Sequence, residues 1–365
     1  MKKVIILGSV SFVLDNAKVG INWIAEYLSN NGYQVIYVSS ASTVLDVLFK
    51  TKRRRFIAAW IKGGRFKINK NLTEIVFKSP WLLNRLNNKY KHVTAGIFEN
   101  KLLNEKYDVL ISTVGALSLF VDRVSAKQKI LRLQDSPHDF GISGYDIKYF
   151  EKLLQQQRFN QIWSVSMKLY EYAERFKPKR NLYLPNGVDL TLFKNQTQQI
   201  KYNKAIYFGV FSAWVDIGLI LDAAKELPDW TFDLFGVGFK HLDKLPNNVT
   251  YHGAIKNEQI PEKLLNYEVG LIPFKNCPHI DVVERPLKFY QYLASGVGIA
   301  SVSHGGLKLG MGDWACYGNT SQEFASAILM ASDKRRLWSK IEISNYLKKY
   351  DWQEILINMK NLINK

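Results

Sequence analysis

Short apolar runs alternate with amphipathic stretches twice along this 365-residue chain, and that double alternation restricts its possible folds more than any other feature. "KKVIILG" reads as a strand, Val19 to Leu28 as an amphipathic helix, and "YQVIYVSS" as a returning strand after a turn at Gly32. "YDVLIST", "KILRLQ", "QIWSVS" and "NLYLPN" are further strand candidates. Between them lie the helical stretches "DIKYFEKLLQQQRF" and "MKLYEYAERF". Near-continuous apolar strands joined by helical crossovers predict a parallel sheet covered on both faces.

The pattern then restarts. A polar, turn-rich stretch, "KNQTQQIKYNK", reads as a linker after "LPNGVDLTLF". "KAIYFGVF", "TFDLFGVG", "NVTYHG", "EVGLIPF" and "GVGIASV" follow as strands, with "DIGLILDAAKEL" as a helix among them. The expected architecture is α/β, with two Rossmann-like, doubly wound domains facing across a cleft. The expected bounds are 1–186 and 187–349, with a helix over 350–365 packed back on the first domain. "KRRLWSKIEISNYLKKY" reads as one amphipathic helix before that last one. Ligands of such folds bind outside the carboxyl ends of the strands.

Composition narrows the class. Hydrophobic residues make up 47% and charged residues 22%, a globular balance. The two cysteines, Cys277 and Cys316, support neither a disulfide framework nor a thiolate metal site, which suits a reducing cytosol. "MKKVIILGSVSF" is better read as a first strand than as a secretory signal, and no stretch approaches the roughly 20 apolar residues of a spanning helix. The net charge of +18 is unevenly placed. Between Asp46 and Glu74 stand nine lysines and arginines and no acid, interleaved with Phe49, Phe56, Trp60 and Phe66. Arg53, Arg54, Arg55, Trp60 and Arg65 are the candidates there for contact with anionic lipid headgroups or an acceptor. A solvated basic face is the plain alternative. Nucleic acid is not expected, because no nucleic-acid module accompanies the charge.

One stretch, "ERPLKFYQYLASG", raises a question about chemistry. Pro286 suits the first position of a helix, whose unpaired N–H groups and positive dipole end favour an anion. Lys288 adds a full positive charge, and Gln291 faces the same side three residues on. A lysine near a helix start is also commonly just solvated. Gly209 and Gly236 each end a strand in a turn that lets backbone approach a ligand, although a plain turn is an equal reading for Gly236. Phe274 either stacks on a ring or fills the core. No GxGxxG or DxD stands at a strand end, and the histidines are scattered, so neither a dinucleotide nor a metal is expected.

"LPNGVD", "YFGVFSAWVD", "NVTYHG", "EVGLIPF" and "RPLKFYQYLASG", in this order and spacing, resemble glycosyltransferases of the GT-B fold. The resemblance covers most of the chain, is strongest from Leu184 to Ser301, and points to the xanthan-type β-glucuronosyltransferases and teichuronic-acid glycosyltransferases. It implies a UDP-sugar donor, no metal or other cofactor, and a lipid-linked or polysaccharide-precursor acceptor at the cytoplasmic face of the membrane, with the enzyme peripheral there. Lys288 and Gln291 resemble the family's nucleotide-diphosphate contact, Phe274 its aromatic residue beside the uracil, and Gly209 to Ser212 its donor-phosphate loop. Many relatives carry glutamate where Gln291 stands, to hold the ribose; Glu284 is the alternative for that task, and Arg285 is a further candidate beside the leaving UDP.

Inverting transfer to a hydroxyl needs a group to take its proton. "LRLQDSPHDFG" follows a strand of the first domain and offers Asp135, His138 and Asp139. The family resembles this chain in having an aspartate in the matching loop, so Asp135 is the expected base and His138 the second choice. Asp135 alternatively caps a turn, pairs with Arg132, or binds acceptor without moving a proton. Two other classes stay open: a GT-B-shaped UDP-sugar epimerase, which needs no acceptor, and a non-catalytic membrane adaptor, which binds no nucleotide.

Overall fold

The computed structural model describes all residues except 16–17, 44–46, 49–52, 54–55, 63, 80–101, 103, 141–146, 194–202, 241–244 and 365. Most of the expected linker "KNQTQQIKYNK" therefore lies outside the described residues, as do Arg54 and Arg55. The chain forms two compact units, the first from Met1–Pro185 with Leu356–Lys365, the second from Asn186–Ile355.

In the first unit, apolar strands build an eight-stranded sheet among the described residues. They are β1 (Lys3–Leu7), β2 (Gln34–Thr43), β3 (Arg65–Lys67), β4 (Leu72–Ser79), β5 (Lys106–Thr113), β6 (Ser125–Leu133), β7 (Gln161–Ser164) and β8 (Asn181–Tyr183). Their order is β3-β4-β2-β1-β5-β6-β7-β8. The crossover helix α1 (Gly20–Asn30) joins β1 to its parallel neighbour β2, the expected βαβ unit. Val4, Ile6, Leu110, Ile111, Ile130 and Leu131 are wholly buried, and they lie in the apolar central parts of β1, β5 and β6, where a sheet covered on both faces needs them. α2 (Ile147–Gln155) and α3 (Met167–Glu174) flank β7 in sequence.

Part of the basic stretch is strand, which the charge run concealed. β3 pairs antiparallel with β4, and β4 lies beside β2, so Arg65 sits on an exposed edge strand. Charged side chains on such an edge discourage pairing with another chain. Trp60 stands in a π-turn over Ile57–Ile61, half-buried and stacked on Phe56, and Arg53 is exposed.

The second unit holds a wholly parallel six-stranded sheet in the order β11-β10-β9-β12-β13-β14. The strands are β9 (Lys204–Phe208), β10 (Thr231–Phe235), β11 (Val249–Tyr251), β12 (Val269–Ile272), β13 (Gly298–Ser301) and β14 (Cys316–Tyr317). Its helices are α4 (Ile217–Glu226), α5 (Ile260–Leu264), α6 (Pro278–Asp281), α7 (Leu287–Ala294), α8 (Leu307–Met311), α9 (Ser321–Arg335) and α10 (Lys340–Lys348); α11 (Trp352–Asn364) begins in this unit and ends in the first. This strand order reverses direction between β9 and β12, the switch point at which doubly wound sheets bind ligands. The expectation of two doubly wound α/β halves is thus met.

Two details differ from expectation. "KRRLWSKIEISNYLKKY" is not one helix, since α9 stops at Arg335 and α10 starts at Lys340. Ser339 accepts from the Glu342 N–H at 3.0 Å while its own N–H donates to the Glu342 carboxylate at 3.0 Å. That capping box starts a new helix. Pro286 is the residue before α7, extended at ψ 151°, rather than its first helical residue. Among the described residues no helix is long and apolar enough to cross a membrane.

Candidate functional site

The carboxyl ends of β9 and β12 gather the second unit's candidate residues. α7 is seated there by a close fit of two sequence features. Gly270 in β12 has no side chain, and the ring of Tyr292 occupies the space that a Cβ would take. The Tyr292 hydroxyl lies within donating distance of the Ile206 and Leu271 carbonyls, at 3.2 and 3.3 Å. Lys288, one turn earlier on α7, is thereby aimed at the end of β9.

Its ammonium lies 5.0 Å from the centre of the Tyr207 ring and 5.5 Å from that of Phe274. Gly209 makes room for it, because a Cβ there would stand 2.7 Å from Nζ. Among the described residues no carboxylate pairs with Lys288. The side chain as a whole keeps some exposure, yet enough protein surrounds the ammonium for burial to lower its pKa to about 8. No side chain caps the first turn of α7, so its leading N–H groups point outward unsatisfied by a cap. A cation set between aromatic faces and Gly209, beside an uncapped helix start, is an arrangement whose charge and free N–H groups favour an anion.

The glycine turns are fixed in place. Gly209 donates to the Phe235 carbonyl and Phe211 to that of Val237, each at 2.9 Å, which zips the ends of β9 and β10 together. Gly236, at φ +147°, could not carry a side chain, since its Cβ would coincide with the Gly209 carbonyl oxygen. Close backbone packing alone is enough to require glycine at 236. Gly236→Ala is accordingly expected to cost at least about 2 kcal/mol, measured by denaturant unfolding. The loop continues through Ser212, partly exposed, to Asp216, whose carboxylate caps α4 by accepting from the Leu219 N–H at 3.0 Å. Asp216 N–H also donates to the Pro273 carbonyl and Lys275 N–H to that of Trp214, each at 2.8 Å.

Two sequence expectations change here. Phe274 is 5% exposed and belongs to the core, so its ring backs Lys288 rather than offering an open face. The half-buried aromatic beside it is Trp214, stacked on His279 with centroids 4.1 Å apart. Sequence reasoning missed this pair because it joins two loops distant in the chain. Glu284 is also 5% exposed, and it pairs with Arg285 at 3.5 Å, while Gly306 and Gly310 let backbone close over it. The Arg285 guanidinium lies 5.3 Å from the Tyr350 ring centre. These two residues brace the chain leading into α7; Gln291, partly exposed, keeps the accessible polar position.

In the first unit Asp135 lies half-buried in the turn after β6, next to a 3-10 turn over Pro137–Phe140. His138 is exposed, its ring 5.9 Å edge-on from Tyr172. The guanidinium of Arg132, fully buried in β6, donates to the Leu184 carbonyl and, at 3.2 Å, to that of Pro185.

No protein-family model matches the chain. Over 126 residues it is 30% identical to the putative teichuronic acid biosynthesis glycosyltransferase TuaH of Bacillus subtilis, a match spanning 30% of this chain and 31% of that one. Its fold is similar to that of a sucrose-phosphate synthase from Thermosynechococcus elongatus, with a TM-score of 0.68 at 14% identity, covering 100% of this chain and 98% of that one. Anabaena HepE, in complex with UDP and glucose, superposes with a TM-score of 0.67 at 13% identity over the whole of both chains. Two doubly wound units in this order, shared with such neighbours along their full length, make the fold that of the GT-B glycosyltransferases.

Proposed function

We propose that this protein is a glycosyltransferase that moves a hexose or glucuronic acid from a UDP-sugar to a lipid-linked or polysaccharide-precursor acceptor. The Lys288 ammonium, desolvated among Tyr207, Phe274 and Gly209 at the sheet's switch point, carries the reading. A diphosphate at that place would replace the water that Lys288 lacks, and the start of α7 would share the charge that grows as UDP departs. Gln291 takes the ribose hydroxyls in place of the buried Glu284, Ser212 and Gly209 line the phosphates, and the Trp214 and His279 pair offers an aromatic surface to the base. HepE's complex with UDP and glucose supports the donor class, and the TuaH match supports a cell-envelope glycan as acceptor. Transfer is proposed to be inverting. Asp135 accepts the acceptor hydroxyl's proton as that oxygen bonds to the anomeric carbon, and the bond from that carbon to UDP breaks.

No metal is assigned to the reaction, because Lys288 and the helix start already supply positive charge to the leaving group. The first unit's exposed Arg53 and Arg65, with Trp60, are proposed to meet the anionic inner membrane face where a lipid-linked acceptor resides. A thermal-shift screen of uridine, guanosine and cytidine diphosphates and their sugars tests the donor. Stabilisation by the uridine compounds alone is expected. UDP release that requires a lipid extract, and persists in EDTA, supports transfer. Turnover without acceptor indicates an epimerase, and absence of any nucleotide shift indicates an adaptor.

A further inference from the structure

Tyr207 carries a hydroxyl into the apolar end of β9. The residue is wholly buried, as is Ile206 before it, and Phe208 after it is almost so. A buried O–H is costly unless it finds a partner, and phenylalanine would fill the same space without that cost. The partner is the Val210 carbonyl, which accepts from the Tyr207 hydroxyl at 3.2 Å. Burial pushes the phenol's pKa up, so at neutral pH the group stays a donor.

The same side chain meets both halves of the anion site. Its ring lies 5.0 Å from the Lys288 ammonium, within the reach of a cation–π contact. Its hydroxyl holds the residue that follows Gly209, where the chain turns away from the sheet. In that turn the Gly209 and Phe211 N–H groups are spent on the Phe235 and Val237 carbonyls. The Val210 N–H between them has no partner among the described residues, and Val210 is 50% exposed. Phe211 packs on the Tyr207 ring with centroids 4.9 Å apart, which keeps the ring from turning aside.

We propose that Tyr207 is a positioning residue that registers the two halves of the phosphate site against each other. Its ring holds the Lys288 ammonium, and its hydroxyl holds the Val210 peptide, whose free N–H meets the same phosphate. The inference rests on Lys288 being the diphosphate contact, and adds that a side chain buried beneath the ligand sets its affinity. The other titratable groups on the elements packed there are occupied. The Tyr292 hydroxyl faces the Ile206 and Leu271 carbonyls, Glu284 pairs with Arg285, and Asp216 caps α4. The ring of Tyr207 is therefore the neighbour whose removal should be felt by the ammonium.

The test is calorimetry of UDP binding to the full chain from about pH 7 to 9, with melting temperature followed in parallel. Tyr207→Phe keeps the ring and loses the hydroxyl. It is expected to bind UDP about 3- to 10-fold more weakly, the worth of one hydrogen bond, with the pH midpoint of affinity as in wild type. Tyr207→Leu loses the ring as well, and its midpoint should fall by about half a unit, because the aromatic face no longer favours the charged ammonium. A purely structural role would lower the melting temperature and leave both readouts alone. Wild-type affinity in the phenylalanine variant overturns the proposal, as does a midpoint in the leucine variant that stays or rises. If the leucine variant does not fold, the phenylalanine variant decides alone. A wild-type chain with no UDP affinity overturns the donor reading itself, whereas one that binds UDP beside an unaffected phenylalanine variant removes only the role of Tyr207.

Discussion

Lys288→Met is expected to weaken UDP binding by about 10- to 100-fold, the range for losing a charge-assisted contact to phosphate. Calorimetry measures it, and unchanged affinity would remove Lys288 from the site. The same substitution should raise stability. Burial holds Lys288 near pKa 8 in the folded protein, against 10.5 as its ordinary value. Between those values the unfolded chain binds more protons, so stability rises with pH through that window and the cost of the buried charge is greatest below about 8. Methionine has a similar length and no charge, so the variant should melt higher than wild type at pH 7, and the difference should narrow towards pH 10. Affinity for UDP has the opposite dependence. It should be highest below pH 8, where the ammonium is charged, and fall above it, with proton uptake on binding visible as a buffer-dependent heat.

Asp135→Asn should lower turnover by about 10²- to 10⁴-fold, the usual contribution of a general base. The amide preserves shape, so UDP affinity and melting temperature should stay close to wild type. UDP release in the presence of acceptor lipid is the measurement. Loss of UDP affinity together with turnover would mean that Asp135 shapes the fold rather than takes the proton, and normal turnover would eliminate it. His138→Ala serves as the comparison. As an exposed side chain touching Tyr172 at its edge, it should cost less than tenfold if Asp135 is the base.

Most of the parallel strands are legible in the sequence because their buried parts are short apolar runs, such as "KAIYF" and "EVGLI"; β4, beside the basic stretch, and the two-residue β14 were not. The β3–β4 pair was hidden because its edge strand, "RFK", carries charge where a buried strand would carry valine. The break between α9 and α10 was present as Ser339 and Glu342, but the apolar spacing runs straight across it and masks the cap. At the site, Lys288 and Gly209 could be read as separate signals. Their contact could not, because it depends on Tyr292 lying over Gly270, a fit between residues far apart in the chain. The burial of Glu284 and Phe274 is likewise a property of the assembled unit. A carboxylate and an aromatic ring look the same in sequence whether they face a ligand or a neighbouring glycine.

The segments by which the chain enters and leaves the second unit are joined to each other. Val188 N–H donates to the Tyr350 carbonyl at 2.9 Å, and Trp352 N–H donates back to the Val188 carbonyl at 3.0 Å. Just before this, Arg132 holds the carbonyls of Leu184 and Pro185. To the rest of the chain the second unit is therefore one long loop with laced ends, and closure entropy grows only logarithmically with loop length. Insertions within it, or its exchange for a homologous segment cut at the same two neighbouring points, should burden the first unit little. Under the proposed assignment of the donor to the second unit, a change of donor specificity would arrive as a single cassette.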